Sequence, residues 1–217
     1  MKMETKMLLA IMFIIILLGV VVWTGIKLRN CASKENTSQE PLVINQIVMD
    51  TTNYVLALNH IRYYETLRLL PYELNGKYYI GYGHQINHSN QYLMNGISKE
   101  YAETLLHRKI QDLILYFADK YNIKEPNQLL ALALLGYNIG IGAVNGILGE
   151  QLKKLNNTVE YDPEVVLLLI KRKWLSICHY QGKKHPQLQQ RRVFEFELYV
   201  SNMLISQQCD YDLKMIK

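Results

Sequence analysis

Apolar and polar positions divide the chain into three textures. Met7 to Trp23 is an unbroken apolar run, MLLAIMFIIILLGVVVW. Thr24, Gly25 and Ile26 extend it to about 20 residues, enough to cross a bilayer as a helix. Ala32 to Glu40, ASKENTSQE, is polar and reads as a linker. Beyond position 50 helical periodicity takes over. Tyr54, Leu58, Ile61 and Glu65 fall on one helical face, apolar except for Glu65. Tyr101, Leu105, Leu106, Ile110, Leu113 and Phe117 form the stripe of a second helix, capped by Ser98. The stretch behind Pro126, LLALALLGYNIG, is apolar nearly all round and should be the buried central helix. Asn138 to Ala143 breaks it. Asp162-Pro163 opens a helix carrying Trp174, and a last helix begins after the basic loop around Gly182. The predicted helices are 54–68, 98–119, 127–137, 163–178 and 187–205.

Between the first two helices the period changes. Asn75-Gly76 is a two-residue hairpin signal, with strands over Pro71 to Leu74 and Lys77 to Tyr82. Gly81 and Gly83 leave gaps on the second strand where a backbone or ligand could approach. Leu70-Pro71 disfavours helical geometry, so Glu65 should sit near a helix C-terminus. There the apolar stripe and the negative end of the helix dipole both work against its ionised form. That is the environment a proton-donating acid needs. The hairpin would hold Glu73, Tyr78, Tyr79 and His84 beside it.

These elements predict an α+β domain, mainly α, with a small hairpin lobe and a helical lobe. The expected boundaries are a membrane anchor at 1–30, a linker at 31–50, the folded domain at 51–206 and a tail at 207–217. Pro41 to Asp50 has no clear pattern, although Asp50, Thr51 or Thr52 can cap the first helix. The anchor should stay uncleaved, because Ile26-Lys27-Leu28-Arg29-Asn30-Cys31 offers no small-x-small exit and no lipoprotein box.

Composition changes this picture little. A hydrophobic content of 49% with 20% charged residues fits a folded chain with a membrane segment. The net charge of +5 is scattered, which argues against nucleic acid and suits an acidic polymer or anionic lipid. Cys31, Cys178 and Cys209 have no metal spacing, and three cysteines cannot all pair internally, which leaves a Cys178–Cys209 disulfide or free thiols. His60, His88, His107, His179 and His185 show no metal pattern, and no metal or other cofactor is implied.

The order Glu65, Leu67, Arg68, Leu69, Pro71-Tyr72, Gly76 and Ile80-Gly81-Tyr82-Gly83-His84 resembles the phage-type lysozymes of glycoside hydrolase family 24. Their motif is a Glu, an Asp nine residues on, a Thr six after that, and a Gly-Tyr-Gly-His run. Further similar segments follow in order: ISKEYAETLLHRKI, the Asn138 to Ala143 run, Leu152 to Leu155, and Arg191-Arg192 after a Gly-containing loop. The similarity spans about residues 52 to 205. Two positions depart: the nearest carboxylate, Glu73, is eight residues after Glu65 with Leu74 at the nominal Asp position, and Tyr79 stands where the family has Thr.

The resemblance implies a lysozyme-like fold and hydrolysis of the β-1,4 bond between N-acetylmuramic acid and N-acetylglucosamine in peptidoglycan. Glu65 would be the acid, with Glu73 and Tyr79 completing the catalytic set. The bland reading of Glu65 is a surface ion pair. Tyr78, Tyr79 and Tyr82 can equally stack on sugar or pack. Asn138 fits substrate binding or a helix C-cap. One of Arg191 and Arg192 would pair with Glu65 or hold saccharide, with Arg192 the candidate for saccharide; the other would be solvated. Gly81, Gly83 and His84 are structural, with His84 buried behind the hairpin on a carboxylate. Two alternatives follow from the departures: a lytic transglycosylase using Glu65 alone, or an inactive peptidoglycan-binding subunit of a conjugation or secretion complex. The expected location is the inner membrane, single-pass, with the domain facing the periplasm and cell wall. The charge count opposes this slightly, with Lys2 and Lys6 before the span and Lys27, Arg29 and Lys34 after it.

Overall fold

The computed structural model describes residues 41–155, 159–180 and 182–215. Residues 7–26 lie outside that range. Among the described residues no helix is long and apolar enough to cross a membrane.

In chain order the elements are β1 (Leu42–Ile44), β2 (Ile47–Met49), α1 (Thr51–Tyr64), β3 (Arg68–Leu74), β4 (Lys77–Gly81), β5 (His84–Ile86), a 3-10 segment (His88–Asn95), α2 (Lys99–Tyr121), α3 (Pro126–Ile139), α4 (Ile141–Leu155), α5 (Pro163–Ser176), β6 (His179–Tyr180), β7 (Lys183–Lys184) and α6 (Pro186–Met215). The fold is α+β and mainly helical, as the pattern predicts.

Side-chain caps fix the helix starts. Asp50 accepts from the Asn53 amide at 3.0 Å, Ser98 from that of Tyr101 at 3.1 Å, and Asp162 from that of Glu164 at 2.9 Å. Pro126 and Pro163 occupy first-turn positions, where a missing N–H costs nothing. Helix α3 is the centre: every residue from Leu129 to Gly136 is buried, with α1, α2, α4 and α6 around it. A second, smaller apolar cluster of Ile80, Ile86, Leu93 and Leu105 underlies the sheet β3-β4-β5.

Several boundaries differ from expectation. The linker does not reach residue 50. β1 and β2 form an antiparallel hairpin through Asn45 and Gln46, both at positive φ, and bury Ile44 and Met49 in the main core. Alternation over three-residue strands is too short to read in the sequence. α1 stops at Tyr64, not 68, because the chain is already extended at Glu65 (φ −103°, ψ 114°) and enters β3 at Arg68. Pro71 lies in β3, an edge strand, where the register shifts between Arg68 and Tyr72. The break after α3 is confined to Gly140 (φ 82°), and a full helix, α4, restarts at Ile141. α6 runs as helix past residue 206, so the loose tail expected from 207 is not seen up to Met215. Cys178 is a buried free thiol.

Candidate active site

Glu65 is the C-cap of α1, and its N–H donates to the Ile61 carbonyl at 2.8 Å. The chain leaves the helix there, so the carboxylate projects at the junction of helix and hairpin. Arg191 of α6 donates to it through Nη2 at 3.0 Å. Arg191 is itself nearly buried, and its guanidinium lies over the Tyr64 ring, 4.9 Å from the centroid. Glu65 is thus partly exposed and held from one side by a rigid cation.

The hairpin decides what faces Glu65. The two-residue turn at Asn75-Gly76 pairs Tyr72 with Tyr79, Glu73 with Tyr78 and Leu74 with Lys77. Alternation then puts Tyr72, Leu74, Tyr79 and Gln85 on one face, and Glu73, Tyr78, Ile80 and Ile86 on the other. The Tyr72 face is the one near Glu65. Burial raises the Tyr72 phenol above its ordinary range; Arg68, 4.3 Å over its ring, opposes this, and Glu65 and Tyr79 add to it. Tyr137 of α3 is raised chiefly by burial, with Glu65 next. Its hydroxyl donates to the Tyr82 carbonyl at 2.5 Å and ties α3 to the sheet.

The structure therefore brings Glu65, Tyr79 and Arg191 together with Tyr72 and Tyr137. The other expected positions separate from them. Glu73 is exposed and lies on the face of the hairpin opposite Tyr72. Tyr78 shares that face and is exposed. Tyr82 turns into the core, 6% exposed, and its hydroxyl donates to Glu103 at 2.7 Å, which also pairs with Arg62. Arg192 is neither solvated nor open to saccharide. It is fully buried and donates to Asn138 at 2.8 Å and Glu195 at 2.9 Å. Trp174 Nε1 donates to the other Glu195 oxygen at 3.1 Å, and burial pushes that acid up to about 7 against the pull of Arg192. Asn138 lies inside α3, whose C-cap is Gly140, so its amide is engaged as the acceptor for Arg192.

Gly81 and Gly83 serve the backbone more than any gap. Both have positive φ (64° and 88°) and flank Tyr82 where β4 turns into β5. His84 is half-buried and has an amide partner, not a carboxylate: Asn90 Nδ2 stands 2.9 Å from Nε2. The Asn90 amide is oriented by its Oδ1, which accepts from the Asn87 N–H at 2.6 Å.

Sequence reasoning missed Tyr72 and Tyr137. Tyr72 was recoverable, since a two-residue turn after Leu74 makes it the partner of Tyr79. Tyr137 carries no local signal, because its role comes from the distance between α3 and the sheet.

Comparison with known proteins agrees with this architecture. Comparison with curated protein sequences gives no match. Among solved structures the chain is similar to the muramidase domain of SpmX from Asticaccaulis excentricus (TM-score 0.51, 22% identity, covering 67% of this chain and 95% of that one). It is also similar to the active form of the P1 phage endolysin Lyz (TM-score 0.50, 13% identity, covering 71% and 86%). Both likenesses concern the fold. The phage lysozyme family matches over residues 62–195, from the end of α1 to Glu195, which is more than half of the chain. The chain belongs to the phage lysozyme family.

Proposed function

We propose that this protein is a peptidoglycan-cleaving glycosidase in which Glu65 is the acid. Family membership supports peptidoglycan hydrolysis as the class of reaction. The observation that carries the residue assignment is the place of Glu65 at the end of α1, paired with the nearly buried Arg191 and close enough to Tyr72 and Tyr137 to act on both phenols. In its protonated form Glu65 gives its proton to the bridging oxygen between N-acetylmuramic acid and N-acetylglucosamine. The C1–O bond breaks, charge develops at C1, and water closes the reaction by adding hydroxide to C1 and releasing a proton.

One observation favours a second reading. Glu73 lies on the face of the hairpin opposite Tyr72, and Leu74 is the β3 residue that shares the Tyr72 face, so β3 offers no carboxylate on the face near Glu65. A lytic transglycosylase needs none. The C6 hydroxyl of the muramic acid attacks C1, its proton passes to the Glu65 carboxylate, and a 1,6-anhydro end results.

The experiment compares full-length protein with Glu65→Gln on purified peptidoglycan. Loss of general acid catalysis should lower the rate by about 10²–10⁴ with wall binding retained. Mass spectrometry of the fragments separates the routes, as a reducing muramic acid end marks hydrolysis and an anhydro end transglycosylation. Equal, undetectable release by both proteins with intact binding would instead make the chain a wall-binding subunit.

In this reading residues 7–26 tether the domain to the inner membrane, facing the cell wall, where local wall opening beside envelope machinery suits a fixed enzyme. The support is the length and composition of the apolar run. An alkaline phosphatase fused to the C-terminus should be active; an inactive fusion would put the domain on the wrong side of the membrane for this substrate.

A further inference from the structure

Tyr79 and Tyr137 themselves line a cavity of about 550 Å³, together with Gly83, His84, Asn87 and Lys109. Its polar character is one-sided, since none of its lining residues is an Asp or Glu. Lys109 projects from α2, is exposed, and forms no ion pair among the described residues. It also borders a smaller cavity of about 130 Å³, where Arg108 adds a second cation and Asp112 the one acid nearby.

His84 contributes a defined donor. Asn90 presents its amide N–H₂ to Nε2, so that nitrogen accepts and the ring proton resides on Nδ1. Burial, with Lys109 and Arg108 adding to it, holds the ring below the ordinary histidine range and keeps it neutral. Nδ1–H has no hydrogen-bond partner among the described residues. At Gly83 and Gly140, both on the lining, a Cβ would meet nothing within 4 Å.

A lysine ammonium and an imidazole N–H border one open space whose own lining holds no carboxylate, while Asp112 lies on the far side of Lys109 together with a second cation, Arg108; that balance suits an anionic group. We infer that this cavity is a subsite for a carboxylate on the peptide substituent of the glycan strand, held by Lys109 and His84. The inference rests on the glycan-cleaving reading above and adds what the enzyme selects: strands whose peptides keep free carboxyl groups. Tyr137 contributes to both places, because it lines this cavity and is influenced by Glu65.

The test gives full-length protein three forms of one peptidoglycan: native, with peptide carboxyls amidated, and stripped of peptides by an amidase. Binding by sedimentation and kcat/KM are read for each. A charge-assisted contact at an exposed lysine should make the native form preferred over the amidated form by roughly tenfold. Lys109→Gln should bring that preference to within about twofold, and His84→Gln should reduce it in the same direction. Lys120→Gln, near the other end of α2, should keep it. Wild-type protein with no preference, or Lys109→Gln with an undiminished one, overturns the subsite. The two readings fail separately. If the wild type cleaves nothing but its binding preference depends on Lys109, the subsite stands and the cleavage reading falls. If it cleaves and the preference ignores Lys109, the cleavage reading stands and the subsite falls.

Discussion

Glu73 and Leu74 differ by one position, and in a strand that is the difference between two faces. The turn at Asn75-Gly76 has both residues at positive φ (52° and 72°), which holds the loop at two residues and locks the pairing of Tyr72 with Tyr79. Glu73 consequently shares a face with Tyr78 and Ile80, away from Glu65. Glu73→Gln should change the rate of wall cleavage by less than about threefold, against the 10²–10⁴ expected for Glu65→Gln. A Glu73→Gln loss comparable to that of Glu65→Gln, read in the same turbidity assay, would mean that the hairpin rearranges when substrate binds. Arg191 and Arg192 teach the same lesson on a helix. Neighbours on a helix point about 100° apart, so one reaches Glu65 and the other enters the core beside Glu195 and Trp174.

At the scale of elements, the hairpin β1–β2 is part of the domain although its sequence looks like linker. Met49 is 1% exposed and Ile44 6%, whereas Val43 and Val48 on the other face are more than half exposed. Met49→Ala should therefore cost about 2–5 kcal/mol by removing a fully buried side chain. Val48→Ala next to it should stay within about 0.5 kcal/mol. Chemical denaturation of the two variants checks this, and equal stabilities would return residues 42–49 to the linker. A truncation starting at residue 51 should be destabilised for the same reason.

At the scale of the whole molecule, the contact between α1 and α6 makes stability depend on pH. His60 stacks on Phe194 (ring centroids 4.2 Å apart, planes 12°) with Tyr64 edge-on at 4.9 Å. Burial, then Arg191 and Arg192, lower it to about 4. The unfolded chain titrates near pH 6.5, so between about 6.5 and 4 it binds more protons than the folded protein does. Stability is fully present above 6.5 and is lost as pH falls through that window, by about 1–2 kcal/mol once partial exposure is allowed for. Glu195 acts oppositely: raised to about 7, it contributes stability that is lost as pH rises through 7. His60→Phe keeps the stack, and Nε2 has no hydrogen-bond partner to lose. Thermal melts from pH 7 to 4.5 should show the variant gaining on wild type as pH falls. A constant gap would assign the acid slope to other groups.

The sequence determined what depends on neighbours a few residues away. Asp50, Ser98 and Asp162 cap because their side chains reach amides two or three residues on. The wholly apolar stretch behind Pro126 had to be central, since no face of it suits water. Glu65 was legible as the end of a stripe before a proline, and the hairpin register followed from its two-residue turn. Tertiary structure decided which face of that hairpin meets Glu65, which of two arginines holds it, and that Tyr137 stands close to it. It also brought Lys109 to His84, 25 positions apart in the chain. Alternation and helical period give relative orientation within one element, but the choice of inward face is made by the elements packed against it.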